Sequence, residues 1–80
     1  MITRLQRDVL FFVAEFSARE RIGPSYRDIA DGIGQRSTSG VHNTVARLKA
    51  RGFLASEPRL ARSIGITAKG AQWIVDTKVD

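Results

Sequence analysis

Apolar residues near the start of the chain recur at the spacing of an amphipathic helix. They stand at i, i+4, i+7, i+8 and i+11, on one face of a helix, and they are Leu5, Val9, Phe12, Val13 and Phe16. Thr3 and Gln6 lie three residues apart at the start of this run, which is the spacing of a capping box. Gly23-Pro24 favours a turn over a helix. The pattern predicts a first helix over about residues 4–20, with its aromatic pair in the core.

A second, shorter helix is predicted after the Gly-Pro turn. Ser25 is a favourable capping residue, and Asp28 stands at the third helical position behind it. Gly34 follows the last apolar residue of the run and favours a helix end. We therefore expect a helix of only two turns, over about residues 26–33.

A third helix is expected over about residues 38–51, beginning with a cap at Ser37 and ending at Gly52. Its buried side is marked by three apolar residues at helical spacing, which are Val41, Val45 and Leu48. Two helices separated by a turn of about four residues that contains glycine are typical of a helix-turn-helix.

The rest of the chain predicts a hairpin and a last helix. Residues 53–56 and 63–67 have the composition of two short strands, and the basic segment between them forms the tip. Thr67 then caps a helix over about residues 68–77, with Ala71, Ile74 and Val75 turned inward. The whole order predicts a mainly α fold with a small β-hairpin, a winged helix-turn-helix in one domain over residues 1–80.

Length and composition limit the protein class. Eighty residues with 42% hydrophobic and 26% charged residues describe a single compact domain. The chain contains no cysteine, so disulfides, thiolate nucleophiles and cysteine-based zinc sites are excluded. It also lacks a bilayer-length apolar run and the pattern of a signal peptide. We expect a cytoplasmic, nucleoid-associated protein of a bacterium or phage.

The positive charge is concentrated in one half of the chain. The total is +5, and residues 1–34 are neutral, whereas residues 35–70 carry seven Lys and Arg residues against Glu57 alone. A contiguous basic region of this kind usually binds a polyanion, because neutralised phosphates release their counterions. A solvated basic face that serves solubility is the alternative explanation.

The outward face of the third helix carries the candidate base contacts. Ser39, Asn43 and Arg47 line up at i, i+4 and i+8 opposite the apolar side, with Gly40 beside them and His42 at the flank. Asn pairs bidentately with adenine and Arg with guanine, and a small residue lets the helix approach the duplex closely. The helix contains no acidic residue, whereas an ordinary solvated face often carries Glu. This absence favours a DNA-reading helix in the major groove.

Further residues are candidates for contacts to DNA phosphates. They lie at the starts of the second and third helices, at the end of the third helix and on the hairpin tip, and they are Ser25, Tyr26, Arg27, Arg36, Ser37, Arg51, Arg59 and Arg62. Ser25 is already explained as a helix cap, and the two tip arginines are also compatible with plain solvated loop charges.

Other chemistry finds no support in the sequence. His42 is the only histidine and has no second ligand at metal-binding spacing, so we expect no metal. Gly32 and Gly34 begin a glycine-rich nucleotide motif, but Ser37 replaces its third glycine and no strand precedes it. No nucleophile with a base can be placed on a rigid core. We expect no enzyme, no cofactor and no small-molecule ligand.

The segment SYRDIADGIGQRSTSGVHNTVARLKARGFL, residues 25–54, resembles the N-terminal DNA-binding domain of the LexA repressors. The resemblance rests on Ser25, Ile29-Ala30, Ile33-Gly34, Arg36-Ser37 and Arg51-Gly52, and with the first helix it covers about residues 3–67. It implies sequence-specific binding to a palindromic operator. The positions of Ser37, Ser39, Gly40, His42 and Asn43 would then face the bases or the adjacent backbone.

Departures from the family limit what the resemblance implies. Thr38-Ser39 replaces the usual Pro-Asn, and His42-Asn43 replaces two glutamates, so the operator need not be the one that the family binds. The family's peptidase domain, which also dimerises it, is not in this sequence. We therefore expect either a truncated protein or a stand-alone regulator under another control.

Partners other than DNA remain open. Trp73 beside the inward face of the last helix either completes the small core or anchors a dimer, and we expect a weak or DNA-induced homodimer and no membrane contact. The main hypothesis is a transcription regulator that acts as a repressor. The alternatives are a winged-helix protein-interaction module, such as a small phage or host adaptor, and a DNA-packaging protein with little sequence preference.

Overall fold

The computed structural model describes residues 1–78. Within them, four helices and a two-stranded antiparallel hairpin follow one another in the order helix, helix, helix, strand, strand, helix. They are α1 (Arg4–Glu20), α2 (Tyr26–Ile33), α3 (Ser39–Ala50), β1 (Leu54–Ala55), β2 (Gly65–Ile66) and α4 (Ala68–Lys78). This order confirms the predicted fold class, a mainly α winged helix-turn-helix. No helix in the described part is both long and apolar enough to cross a membrane.

Capping boxes begin α1 and α2. Thr3 Oγ1 accepts the backbone N–H of Gln6 at 3.1 Å, and Gln6 Oε1 accepts the N–H of Thr3 at 3.1 Å. Ser25 Oγ accepts the N–H of Asp28 at 2.9 Å, and Asp28 Oδ2 accepts the N–H of Ser25 at 3.0 Å. Each box pairs two N–H groups that the helix itself leaves unpaired. Both helix starts are therefore fixed by residues three apart in the sequence.

Left-handed residues end the first three helices. Gly34 follows α2 with φ 78°, and Gly52 stands one residue beyond the C-cap of α3 with φ 83°. Glycine adopts this conformation without a steric penalty, which explains its presence at both stops. The end of α1 uses Arg21 at φ 63° instead, two residues before Gly23 and the turn that it forms with Pro24.

The core is formed where the helices meet the base of the hairpin. Its buried apolar residues are Val9, Leu10, Val13, Ile29, Ala30, Val41, Val45, Leu48, Phe53, Leu54, Ile64 and Ile74. Leu10 is fully buried although the five-residue pattern of α1 did not include it. The prediction that the aromatic pair lies in the core is wrong: Phe12 and Phe16 are only half-buried, with ring centroids 5.7 Å apart, and of the two Phe12 packs against the edge of the core.

The hairpin is shorter than the sequence predicts. Only Leu54 with Ile66 and Ala55 with Gly65 are paired, in place of strands four and five residues long. Beyond them, Ser63 Oγ donates to the carbonyl of Glu57 at 2.9 Å and accepts its N–H at 2.8 Å. These side-chain bonds replace strand pairing, so residues 56–63 form a loop, which we call the wing loop.

The predicted inward face of α4 is partly wrong. Ile74 is buried, but Ala71 is exposed and Val75 is 54% exposed. The packed side of α4 is instead the stripe of Gly70, Trp73 and Ile74, because Gly70 lies directly against the backbone of Phe53. A Cβ at that position would overlap the Phe53 carbonyl, so the contact determines the rotation of the helix.

Candidate nucleic-acid interface

Helix α3 has one buried and one exposed side. The buried residues are Val41, Thr44, Val45 and Leu48, and the exposed residues are Ser39, His42, Asn43, Ala46, Arg47 and Ala50. We call this exposed side the outward face. Thr44 is the one polar member of the buried side, and it is accommodated because its Oγ1 donates to the Gly40 carbonyl at 2.8 Å. The structure therefore brings the predicted base-contact residues together on one surface.

Asn43 and Arg47 occupy the middle of the outward face with their polar groups available. Both side chains are exposed, and neither forms a hydrogen bond or an ion pair within residues 1–78. Gly40 is half-buried beside them, and a Cβ built on it would meet no atom within 4 Å. The polar groups of these two side chains, and the space beside Gly40, are thus accessible from outside the chain.

Tyr26 and His42 form a stack that joins the start of α2 to the flank of the outward face. Their ring centroids are 3.6 Å apart, and the ring planes are inclined by 21°. Stacking on the half-buried tyrosine restricts the exposed imidazole to one side of α3. The sequence indicated both residues as contacts but gave no sign of their pairing, because they lie on different helices.

The start of α3 differs from the prediction. The helix begins at Ser39 with Thr38 as its N-cap, and Thr38 makes no side-chain capping bond, so the expected cap at Ser37 is wrong. Ser37 Oγ lies instead 3.1 Å from Ser39 Oγ. The backbone N–H groups of the first turn consequently have no side-chain cap within the described chain, as at many sites that receive an anion.

Arginines surround this end of α3. Arg27 Nη2 donates to the carbonyl of Arg36 at 3.3 Å, and Arg27 Nε lies 3.4 Å from Asp31 Oδ1. The Arg36 side chain is exposed and has no ion-pair partner in residues 1–78. Arg27 therefore braces the turn between α2 and α3, whereas the guanidinium of Arg36 has no ion pair within the described residues.

Arg51 at the other end of α3 is engaged inside the protein. Its Nη1 donates to the carbonyl of Met1 at 2.7 Å, and its guanidinium carbon lies 5.3 Å from the centroid of the Phe53 ring. Its own carbonyl accepts from Lys69 Nζ at 2.9 Å. The residue thus ties the chain start to the end of α3, and a phosphate contact would have to coexist with these bonds.

A groove of about 670 Å³ is lined by the wing loop, the start of α2 and the end of α3. Its lining includes Tyr26, Lys49, Arg59 and Arg62, together with Leu60, a residue that is 63% exposed. Lys49 was not among the predicted contacts. The sequence feature that could have indicated Lys49 is its seven-residue spacing from His42, which places both residues on one flank of α3.

The two arginines of the wing loop have different surroundings. Arg59 is exposed and forms no ion pair within residues 1–78. Arg62 Nη1 donates to Asp28 Oδ2 at 3.0 Å, across 34 residues of sequence. The pKa of Asp28 lies below its usual value of 3.8. The largest cause is the Ser25 N–H, which donates to the same carboxylate, and Arg62 adds to the lowering.

Trp73 lies on α4, outside the outward face, and packs on the core. It is half-buried, with ring centroids 6.2 Å from Phe11 and 6.4 Å from Phe53. These tilted contacts cover part of its apolar surface within one chain. They agree with the interpretation that Trp73 completes the core.

A comparison with known protein families agrees with this geometry. The family model of the LexA DNA binding domain matches residues 1–63, from the first residue of the chain to the end of the wing loop. The matched part holds all of α1, α2 and α3, including the outward face and the Tyr26–His42 stack. The chain therefore belongs to the LexA DNA binding domain family.

Proposed function

We propose that this chain, a DNA-binding transcription regulator by its family, is a sequence-specific repressor that occupies an operator through the outward face of α3. The observation that carries the proposal is the polar, acid-free outward face, whose Asn43 and Arg47 have no partner within residues 1–78. Unpaired amide and guanidinium groups on an exposed helix match the donors and acceptors of base edges in the major groove. Repression follows from occlusion of a promoter.

The base contacts are assigned to five residues of α3, which are Ser39, Gly40, His42, Asn43 and Arg47. Asn43 matches adenine and Arg47 matches guanine, since each side chain is able to form a bidentate pair with that base. Gly40 adds no side chain at a point where the helix backbone approaches the duplex. The stack on Tyr26 supports His42 at the edge of the groove.

Phosphate contacts are assigned around this face. Arg36, Ser37 and the uncapped first turn of α3 fit a phosphate on one strand, and Arg59 fits the backbone beside the wing loop. The remaining candidates are Ser25, Tyr26, Arg27, Arg51 and Arg62, and each already has a partner in the chain: four form hydrogen bonds, and Tyr26 stacks on His42. Lys49 joins the set because it lines the same groove as Arg59. Charged contacts of this kind supply affinity without sequence preference.

The operator is expected to be an inverted repeat occupied by two copies of the chain. A compact domain with one recognition helix reads a short site, and a repeat with two half-sites about one helical turn apart supplies the rest of the specificity. Because Trp73 packs on its own core, we expect the two copies to associate weakly or only on DNA.

Selection from a random duplex library at about 150 mM salt tests this function. Enrichment of a sharp inverted repeat supports it and supplies the operator. Absence of enrichment, with binding that disappears as salt rises, refutes sequence-specific regulation and favours a packaging or adaptor role.

Arg47→Ala and Arg7→Ala form a matched pair for the same selection. Both arginines are exposed and have no ion-pair partner in the described residues, but Arg7 lies on α1, outside the proposed interface. We expect Arg47→Ala to remove the preference at one base pair and Arg7→Ala to leave the selected sequence unchanged. Equal effects of the two variants would contradict base contact by Arg47.

A further inference from the structure

We propose that Arg62 is a positioning residue that holds the wing loop against the start of α2, so that Arg59 on the same loop meets the DNA backbone. This inference rests on the proposed DNA-binding function and refines it. It assigns different roles to two arginines that the sequence treats alike. Arg59 contacts a phosphate, and Arg62 acts through Arg59.

The backbone of Arg62 is fixed against the turn before α2. Its φ of 58° is left-handed, and its carbonyl accepts the N–H of Gly23 at 3.0 Å. A Cβ at Gly23 would lie only 2.8 Å from the Arg62 carbonyl oxygen and 2.9 Å from the Ile64 nitrogen. Only a glycine permits this approach of two backbones, so the end of the wing loop is joined directly to the helix-turn-helix.

The side chain of Arg62 makes a second attachment beside the first. Its Nη1 donates to Asp28 Oδ2 at 3.0 Å, and the same oxygen accepts the N–H of Ser25 in the capping box of α2. The carboxylate thus links the wing loop to the first turn of α2. Because the two side chains are 47% and 31% exposed, the ion pair contributes little to overall stability, and its main effect is geometric.

The charge of Arg62 is already compensated in the free protein. A guanidinium that contacts a phosphate must first leave Asp28 or share its hydrogen bonds with it. Arg59 has no such competitor within residues 1–78 and lines the same groove. A phosphate that approaches the wing loop therefore meets Arg59 as the available cation, at a position that Arg62 holds in place.

The direction in which Asp28→Asn changes the DNA affinity tests this inference. Removal of a negative charge from a DNA-binding protein normally strengthens DNA binding, and it would do so here if Arg62 bound a phosphate directly. Asparagine keeps an acceptor oxygen but loses the negative charge of the ion pair with Arg62. If Arg62 positions the wing loop, the weaker attachment lets Arg59 move away and weakens binding. The plot of log affinity against log salt then becomes less steep, and the magnitude of its slope decreases by about 0.9, the value for one phosphate contact.

The probe is a fluorescent DNA duplex of random sequence, titrated by anisotropy between about 50 and 200 mM salt. Over this fourfold range of salt, one lost phosphate contact makes the fall in affinity from low to high salt about 3.5-fold smaller. We expect Asp28→Asn, Arg62→Gln and Arg59→Gln each to reduce the magnitude of this slope by the same amount. The matched control is Asp31→Asn on the same helix, which releases Arg27 and is expected to strengthen binding.

Double variants separate positioning from a local effect on α2. We expect Asp28→Asn and Arg62→Gln to have no further effect in the Arg59→Gln background, since they act through Arg59. Additive losses, or tighter binding by Asp28→Asn, overturn the inference while leaving DNA binding itself intact. A natural chain that does not bind the duplex at low salt overturns the proposed function, and the inference with it.

Discussion

The Gly40→Ala substitution tests whether the glycine near the start of α3 serves the fold or a bound duplex. Gly40 is the second residue of α3, and a Cβ there would have no atom within 4 Å. The fold therefore has room for an alanine. If glycine is nevertheless required at this position, the requirement comes from a molecule that approaches the helix from outside.

The expected effect on stability follows from helix propensity and the open space. Glycine in the middle of a helix costs about 0.5–1 kcal/mol relative to alanine. Gly40 lies in the first turn of α3, so we expect a gain at the lower end of this range, about 0.5 kcal/mol, and no steric contact opposes it. For a domain of this size, 1 kcal/mol corresponds to about 4–8 °C in Tm. We therefore expect the variant to melt about 2–4 °C higher than the natural chain.

The expected effect on DNA binding has the opposite sign. A methyl group at Gly40 separates α3 from the duplex and disturbs the neighbouring bidentate contacts, each of which is worth about 1–3 kcal/mol. This corresponds to about 5- to 160-fold in Kd for the selected operator. A variant that is more stable and binds more weakly cannot owe its weaker binding to unfolding.

Gly32→Ala is the matched control, since Gly32 also lies within a helix. Its Cβ would overlap three carbon atoms of the Phe12 ring, and overpacking of this kind costs about 1–3 kcal/mol. This cost offsets the gain in propensity, so we expect Gly32→Ala to melt no higher than the natural chain.

Thermal unfolding by circular dichroism and anisotropy titration with the selected operator measure both effects. A lower Tm for Gly40→Ala would refute the steric reasoning about the free chain. A higher Tm with unchanged operator affinity would refute close approach of the duplex at Gly40.

Three further predictions concern the outward face, the core and the capping carboxylate. Asn43→Ala is expected to cost about 1–3 kcal/mol at one base pair and to relax specificity there, measured by competition with single-base operator variants; equal losses on every sequence would contradict base contact. Leu48→Ala removes a fully buried side chain and is expected to lower the free energy of unfolding, measured by urea denaturation, by about 2–5 kcal/mol. A loss below about 1 kcal/mol would mean that neighbouring side chains fill the cavity and would contradict this expectation. Because the pKa of Asp28 is lowered in the folded state, its stabilising contribution is complete above the ordinary pKa of about 4 and is lost as the pH falls below it. The Tm of the natural chain should therefore fall more between about pH 5 and pH 3 than that of Asp28→Asn, and parallel curves would exclude this contribution.

Short-range sequence patterns determined the helices and the outward face. The capping boxes at Thr3 and Ser25 use residues three apart, and the stop at Gly34 depends on one backbone conformation. The outward face follows from a repeat of 3.6 residues, which places Asn43 and Arg47 opposite the apolar side wherever the helix packs. These features required no knowledge of the rest of the molecule, because each depends on neighbours within one or two helical turns.

The tertiary structure alone decided which polar groups remain available at that surface. Arg59 and Arg62 are equivalent in the sequence, but only Arg62 meets a carboxylate, because the fold brings Asp28 to it across 34 residues. The pairing of Tyr26 with His42 and the rotation of α4 by the contact at Gly70 likewise join separate elements. Such contacts depend on how helices and loops pack in space, and a local pattern carries no information about a partner on a different element.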